Sequence, residues 1–232
     1  MPRRSLVDER RRPKGTEPLS RERVLGAAID LADRDGLESV SMRKLAQGLG
    51  VDPMSLYNHV RDKDDLLDGI ADAIVAEIEV PAAGDDWQAT LRATILSARD
   101  TMLRHPWAAR VVESRTQPGP ATLRYMEAIF GTLLDGGFSI ELGHHALHVL
   151  GSRVLGFPQD LWDDSPDTRA DPAAAALMAR QLAAVFPRLG ELALAATHEG
   201  GLGGCDDDVE FAFGLDLILD GLERCRAASP SA

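Results

Sequence analysis

The stretch SMRKLAQGLGVDPMSLYNHVRDK, which runs from Ser41 to Lys63, decides the fold of this chain. Its leucines and valines recur at helical spacing, and short polar or cationic side chains lie between them. Gly50 can adopt the positive φ of a tight turn, Asp52 can cap the next helix, and Pro53 suits a first helical position. The pattern predicts two short helices around a turn and the start of another, which is the layout of a helix-turn-helix reading head. The alternative is a three-helix module that contacts protein.

Apolar residues keep a helical spacing on both sides of this stretch, and the sequence has no strand pattern and no internal repeat. A first helix is predicted over about Arg21 to Asp35, with Ser20 as its N-cap. The reading helix is predicted over about Pro53 to His59, and a fourth helix follows the cap Asp62. The chain is therefore predicted to be all-α.

The short stretch PAAGDD, from Pro81 to Asp86, marks the one clear domain boundary. We expect a disordered basic arm over residues 1–19, a helix-turn-helix DNA-binding domain over 20–80 and a larger helical domain over 86–228. The arm is either a solvated tail without a role or a segment that contacts phosphates or the minor groove.

The charge distribution indicates which part of the chain can meet nucleic acid. The whole chain has a formal net charge of −12. Residues 1–63 hold 13 Lys and Arg against 10 Asp and Glu, which leaves 12 against 27 for the rest, so the two parts carry +3 and −15. Only the first quarter can approach a polyanion without strong repulsion.

Composition and motifs exclude several classes of protein. The 232 residues suffice for a sizeable core, and no apolar run approaches the roughly 20 residues of a membrane span. The Arg-rich N-terminus lacks the apolar segment of a signal peptide, so we expect a cytoplasmic protein with no membrane partner. Cys205 and Cys225 form neither a metal-binding spacing nor a disulfide framework. An enzyme with a helical pocket is the least favoured alternative, because no nucleophile–base pair or phosphate loop appears, and no cofactor is predicted.

The run R-K-L-A-x-x-L-G-V-x-x-x-S-L-Y-x-H-V-x-x-K-x-x-L-L, within residues 20–67, resembles the DNA-binding domain of TetR-type repressors. Three later segments are similar to the tetracycline-repressor branch of that family: MLRHPW at 102–107, GFS at 137–139 and FAFGLD at 211–216. The resemblance implies a homodimeric repressor in which one half reads double-stranded DNA. The other half would hold a small molecule and dimerise through its eighth and last helices.

The resemblance also assigns DNA contacts within the reading head. Arg43, early in the second helix, stands at the position from which such repressors contact a base edge. A hydrogen-bonded contact between arginine and guanine is the commonest specific contact in the major groove. Lys63 would contact a phosphate, whereas His59 either contacts a phosphate or packs the turn. The predicted DNA-binding residues are Arg43, Pro53, Met54, Ser55, Tyr57, Asn58, His59 and Lys63.

An effector pocket is expected among the fifth to eighth helices, although each candidate is more often a core residue. The candidates are Leu103, Trp107, Met126, Phe130, His148, Arg153, Phe157 and Trp162. Arg153 lies in the apolar segment VLGSRVLGF and needs a partner if it is buried, either an anionic effector or an acidic residue across the dimer. Val112 stands where tetracycline repressors use a histidine for the Mg²⁺ of the drug complex, so a Mg–tetracycline ligand is not expected.

Three histidines lie in the predicted eighth helix, and His144 and His148 share a face at i,i+4. His144 and His148 could form a metal pair or, with His145, line a polar pocket. The alternative is that these histidines lie exposed or in an interface. Because no third or fourth ligand is visible, no metal site is predicted.

The last helix is expected to dimerise with the eighth. Gly214 and Gly221 lower its helix propensity but let another helix approach, and its apolar face could bury an isologous patch. The predicted interface residues are Phe211, Leu215, Ile218, Leu219 and Leu222.

These features predict a DNA-binding transcriptional regulator, specifically a repressor that binds a palindromic operator as a homodimer and is released by a small-molecule effector. A helix-turn-helix regulator that senses no small molecule is the alternative.

Overall fold

The computed structural model describes residues 18–82, 84, 86–155, 177, 180–181, 183–195 and 207–228, and the regular elements among them are helices. They are α1 (Arg21–Asp35), α2 (Met42–Leu49), α3 (Pro53–Leu56), α4 (Lys63–Val75), α5 (Trp87–Arg104), α6 (Ala108–Ser114), α7 (Pro120–Asp135), α8 (Ile140–Leu155), α9 (Pro187–Ala195) and α10 (Asp207–Ala228), with a 3-10 turn at Leu37–Ser39. The prediction of an all-α fold is confirmed. Most of the predicted basic arm lies outside the described residues.

Side-chain caps begin the helices of the reading head, as the sequence predicts. The Ser41 hydroxyl accepts a hydrogen bond from the N–H of Lys44 at 3.3 Å, and the Asp52 carboxylate accepts one from the N–H of Met54 at 2.8 Å. Gly50 ends α2 in the left-handed conformation, with φ of 67°, which a β-carbon would make costly. The N-cap side chains of α1, α4 and α5 likewise accept a hydrogen bond from a backbone N–H group; they are Ser20, Asp62 and Asp86.

The reading helix α3 is shorter than predicted. Its α-helical geometry ends at Leu56, whereas the sequence predicted a helix to His59. The N–H groups of Asn58 and His59 bond to carbonyls three residues back, those of Ser55 and Leu56, at 3.4 and 2.9 Å. These short bonds tighten the turn that follows α3, and six residues separate the end of α3 from the start of α4.

The helices form two hydrophobic cores. The first core packs the apolar faces of α1 to α4 against one another, and α6 adds to it. The second core joins α5, α7, α8 and α10. Among the largest fully buried side chains, the first core holds Leu45, Leu56, Leu66, Ile70 and Ile74, and the second holds Leu91, Ile95, Leu133, Leu150 and Leu215.

The first core extends beyond the linker that the sequence predicted at residues 81–86. Trp107, Ala108 and Val111 follow that linker in the chain, yet they are buried with the reading head. The reading head is therefore completed by the start of the larger helical part, and the two parts share an apolar contact.

An ion pair fixes the N-terminal end of α1 to that of α4. Arg21 donates from Nη2 to one carboxylate oxygen of Asp65 at 2.9 Å and from Nη1 to the other at 3.1 Å. Nη1 also donates to the carbonyl oxygen of His59 at 2.8 Å, and the N–H of Arg61 donates to Asp65 at 2.8 Å. The hydrogen bond from Arg21 is the largest influence that lowers the pKa of Asp65, from 3.8 to about 2. One contact thus joins α1, the turn after α3 and the start of α4.

We expect Asp65→Asn to lose about 2 kcal/mol of unfolding free energy at pH 7, because the folded state holds the ionised carboxylate more strongly than the unfolded chain does. The pKa is lowered in the folded state, so this contribution is present above about pH 4 and is lost as the pH falls towards 2. Denaturant titrations of both proteins between pH 2 and 7 should show their stability difference shrinking over that window.

Asp30→Asn is the matched control, since Asp30 lies exposed on α1, and its stability should follow that of the wild type. A difference between Asp65→Asn and the wild type that stays constant from pH 7 to pH 2 would contradict the role given to the ionised carboxylate.

Candidate functional site

The exposed surface of the reading head carries most of the side chains predicted to contact DNA. Arg43 on α2 and Lys63 at the first position of α4 are exposed. Met54 at the front of α3 is 70% exposed and Tyr57 just after it is 46% exposed. Pro53 and Asn58 are exposed, whereas Ser55 and His59 are half-buried. The fold therefore presents six of the eight predicted residues outward.

The buried faces of α2 and α3 set this orientation. Leu45 and Ala46 anchor α2 in the first core, so the preceding Arg43 and Lys44 face outward. Leu56 anchors α3 in the same way and turns the side chain of Met54 to the surface.

The cations of this surface are available to a polyanion. Within the described residues, no carboxylate forms an ion pair with Arg43, Lys44 or Lys63. Arg21 and Arg61 are engaged instead, because both pair with Asp65, at 2.9 and 3.7 Å. Side chains of this chemistry can bind phosphates and base edges in the major groove.

The sequence did not indicate the roles of Arg21 and Asp65, which hold α1, the turn after α3 and the start of α4 together. Asp65 was interpretable only as an acidic residue in the first turn of α4, where it suits the helix dipole. Arg21 lies 44 residues earlier in the chain, so no local spacing relates the two side chains. Only the packing of α1 against α4 brings them together.

A polar junction links the reading head to the corner between α5 and α6. The Asp33 carboxylate on α1 lies 2.8 Å from Nδ1 of His105 and accepts a hydrogen bond from the Trp107 indole N–H at 2.7 Å. Nε2 of His105 lies 3.3 Å from Glu77, just after α4. Trp107, which the sequence predicted to line the effector pocket, has its indole buried in the first core and bonded to α1. Its part in a pocket stays a prediction.

Acidic residues along α4 make further contacts with the larger helical part. Asp68 accepts a hydrogen bond from Arg115 at 3.2 Å. Asp72 accepts from the backbone N–H groups of Ala121 and Thr122 at 3.1 and 2.9 Å, at the N-terminus of α7. A carboxylate in that position suits the positive end of a helix dipole. A displacement of α6 or α7 would therefore act directly on α4.

The other predicted pocket residues do not form one visible group. Leu103 on α5 is 56% exposed and Met126 on α7 is 47% exposed. Phe130 is half-buried close to α8, and His148 is exposed on α8. Phe157 and Trp162 lie outside the described residues. A cavity of about 360 Å³ between the end of α4 and α5 contains none of these candidates, and it is lined by Glu77, Glu79, Ala93, Leu96, Ser97, Asp100 and Arg104.

Arg153 lies against the last helix. Its guanidinium carbon is 4.6 Å from the centroid of the Phe211 ring, and Nη2 donates to the carbonyl oxygen of Glu210 at 2.8 Å. Its buried Nε has no hydrogen-bond partner among the residues that the structure describes. A β-carbon at Gly214 would lie 2.9 Å from Nη2, so this glycine makes room for Arg153 of α8 in the same chain. Both roles that the sequence left open for Arg153 remain predictions.

The residues predicted to form the dimer interface lie mostly in the core of the protomer itself. Phe211, Leu215, Leu219 and Leu222 are buried in the second core of the protomer itself, and Ile218 packs partly against it. They pack against α5 and α8 of the same chain, and their part in a dimer stays a prediction. The apolar side chains that α10 exposes lie on its other face: Val209, Phe213 and Leu217.

Among the described residues, no helix is both long and apolar enough to cross a bilayer. Within the same part of the chain, no group of three or more His, Cys, Asp or Glu side chains is arranged to hold a metal ion.

Two family models match this chain over most of its length. The model described as bacterial regulatory proteins of the tetR family matches residues 24–70, and the model of a tetracyclin repressor-like C-terminal domain matches residues 80–226.

Curated relatives and solved structures agree with these matches. The HTH-type transcriptional repressor DrrR1 of Streptomyces coeruleorubidus is 35% identical over 228 residues, 94% of this chain and 83% of that protein. An HTH-type transcriptional regulator of Saccharopolyspora erythraea is 39% identical over 125 residues, so the chain spans about half of that relative, 53%. The apo structure of ActR from Streptomyces coelicolor matches with a TM-score of 0.71 and 29% identity, covering 92% of this chain and 99% of ActR. The structure of ActR in complex with actinorhodin also matches this chain, with a TM-score of 0.67.

Proposed function

This chain belongs to the TetR family of bacterial regulatory proteins, and from that premise we propose that it is a repressor that binds a palindromic operator as a homodimer and leaves it when a small molecule binds. The resemblance seen in the sequence is confirmed at the level of the family. A regulator that binds bacterial DNA would act in the cytoplasm.

One observation carries the DNA-binding part of the proposal. The reading head presents Arg43, Lys44 and Lys63 on its surface, and no carboxylate pairs with them in the described part of the chain. Met54 at the front of α3 and Tyr57 just after its end are exposed on the same reading head. Arg43 would read a base edge and Lys63 would contact a phosphate, while the apolar Met54 would meet a thymine methyl group.

The exposed faces of α8 and α10 support dimerisation. Phe213 and Leu217 lie one helical turn apart on α10 and are 61% and 54% exposed in the protomer. Large apolar side chains grouped in this way commonly mark an interface. A two-fold axis through these faces would place two reading heads on successive major grooves, as a palindromic operator requires.

The contacts of α4 support control by an effector. A ligand in the larger helical part could displace α6 or α7, which hold α4 through Asp68 and Asp72. By linkage, the ligand releases DNA only if it binds the released conformation more tightly. ActR has been solved with actinorhodin, so an aromatic small molecule is the class from which we would start.

We expect Arg43→Ala to reduce affinity for the cognate operator by about 1–3 kcal/mol and to relax sequence specificity, because it removes a base contact. Lys63→Ala should instead weaken all DNA sequences alike and lower the slope of log K against log salt by about one, because it removes a phosphate contact. Fluorescence anisotropy with operator and random duplexes over a salt series measures both effects.

The DNA upstream of the protein's own gene, searched for a palindromic site, is the first operator to test. Arg124→Ala is a matched control, since Arg124 lies exposed on α7 in the second half of the chain, and it should leave both affinities unchanged. Equal losses on operator and random DNA for Arg43→Ala would contradict its base-reading role.

We expect Leu217→Glu to raise the dissociation constant of the dimer at least ~100-fold, because an unpaired carboxylate would be buried in the interface. Leu123→Glu on α7 is the control, since its leucine is exposed to almost the same extent, 53% against 54%. Sedimentation velocity over a concentration series should show a monomer for the first variant and a dimer for the second. If Leu217→Glu stays dimeric throughout, the interface lies elsewhere.

We expect an effector to raise the melting temperature of the free protein and to weaken operator binding. At 100 times its Kd, a ligand adds about 2.7 kcal/mol to the stability of the state that it binds. Thermal unfolding with actinorhodin and a panel of aromatic compounds, with and without operator, measures both effects. Stabilisation of the free protein without loss of operator would exclude that compound as an inducer. A regulator that senses no small molecule would show neither effect.

A further inference from the structure

The segment MLRHPW at 102–107 places a histidine where three parts of the chain meet. His105 is the C-cap residue of α5, and only 10% of its side chain is exposed. Its Nδ1 lies 2.8 and 3.0 Å from the two carboxylate oxygens of Asp33 on α1. Its Nε2 lies 3.3 Å from Oε2 of Glu77, two residues after the end of α4. The ring therefore lies between a carboxylate of the reading head and one at the end of α4.

Both nitrogens of this ring face groups that accept hydrogen bonds. An ionised carboxylate has no proton to donate, and a neutral imidazole carries a proton on one nitrogen only. With His105 neutral, the lone pair of the other nitrogen would point at a carboxylate oxygen. The imidazolium form donates from both nitrogens, and hydrogen bonds between charged groups are stronger than neutral ones. The geometry therefore favours the protonated ring.

The charges around the ring balance when the ring is protonated. Asp33 is the carboxylate that α1 places against it, and Glu77 is the one from the segment after α4. Arg104, the last residue of α5, donates from Nη2 to the same Oε2 of Glu77 at 3.1 Å. The start of α6 contributes the indole of Trp107, which does not titrate and donates to Asp33 at 2.7 Å. Two carboxylates thus face one guanidinium and one imidazole, and the group is neutral when the imidazole carries its second proton.

Loss of that proton would break one of the two links and keep the other. Nδ1 lies closer to Asp33 than Nε2 lies to Glu77, so the single proton of the neutral ring would stay on Nδ1. Nε2 would then present its lone pair to Glu77, and the two groups would separate. Glu77 would keep its ion pair with Arg104, at 3.1 Å, while the imidazole would no longer hold it.

We propose that His105 is a pH-sensitive latch between the reading head and the larger helical part. The latch is closed when the ring is protonated, and it opens at Glu77 when the ring loses its proton. The helix α4 starts at Lys63 on the reading head and ends beside Glu77, so the open latch holds the far end of α4 less firmly. The consequence for operator binding rests on the proposed function, whereas the latch itself does not.

Urea denaturation of the full-length protein without DNA tests the latch. The unfolding midpoint is measured from about pH 5.5 to about pH 8.5, where carboxylates are mostly ionised. One protein concentration throughout keeps the contribution of subunit association comparable. Because the folded protein bonds the protonated ring at both nitrogens and the unfolded chain does not, the latch stabilises the protein at the lower end of this range and loses its effect as the pH rises. The midpoint of the wild type should therefore fall relative to that of His105→Gln.

Glu77→Gln separates the charge of the latch from its shape. The glutamine amide can donate to the lone pair of Nε2, so the ring no longer needs a second proton. We expect this variant to lose most of the pH dependence that His105 confers, as His105→Gln does. Glu79→Gln is the matched control, since Glu79 is exposed two positions further along, and it should follow the wild type at every pH.

Hydrogen exchange locates the effect in the structure. The N–H groups of Ala76, Glu77 and Ile78 bond to carbonyls in the last turn of α4. Their protection factors, which correct for the intrinsic effect of pH on exchange, should fall in the wild type as the pH rises over the same range. In His105→Gln and Glu77→Gln they should stay nearly constant.

A wild-type midpoint that changes with pH in parallel with that of His105→Gln would overturn the proposal. A Glu77→Gln variant that keeps the full pH dependence of the wild type would overturn it too. If His105→Gln does not fold, the comparison of Glu77→Gln with Glu79→Gln decides the question alone. None of these measurements uses DNA or an effector, so their failure is distinct from failure of the proposed repressor function.

Discussion

The contact between Arg21 and Asp65 holds the reading head in one shape. It joins the first turn of α1 to the first turn of α4, and Arg21 also bonds to the carbonyl of His59 in the turn after α3. The short helix α3 has few hydrogen bonds of its own, so its direction depends on how this turn is held. The placement of Met54 and Tyr57 therefore depends on a contact that residues of α1 and α4 make.

The helix α4 connects the DNA-reading surface to the rest of the molecule. Its apolar side packs in the first core, while its carboxylates Asp68 and Asp72 hold α6 and α7. A second connection runs from Asp33 on α1 to His105 and Trp107 at the corner between α5 and α6. These contacts tie α1 and α4 to the larger helical part at several separate points.

The outward faces of α8 and α10 carry the features that the protomer does not use for its own packing. The exposed Phe213 and Leu217 on α10 are suited to a second copy. They lie opposite the face of α10 that is buried in the second core. The acidic charge of this half keeps DNA away from it, so nucleic acid is confined to the reading head.

The sequence by itself determined the features that depend on neighbours along the chain. The caps Ser41 and Asp52 and the turn at Gly50 could be predicted, because their hydrogen bonds and backbone angles involve residues two to four positions away. Periodicity likewise separated the two faces of α10, but it could not tell whether Leu215 meets its own chain or a partner. Only the tertiary structure decided that, and it also paired Arg21 with Asp65 and moved Trp107 into the first core. These outcomes rest on contacts between residues that are distant in sequence, whose energies no local pattern contains.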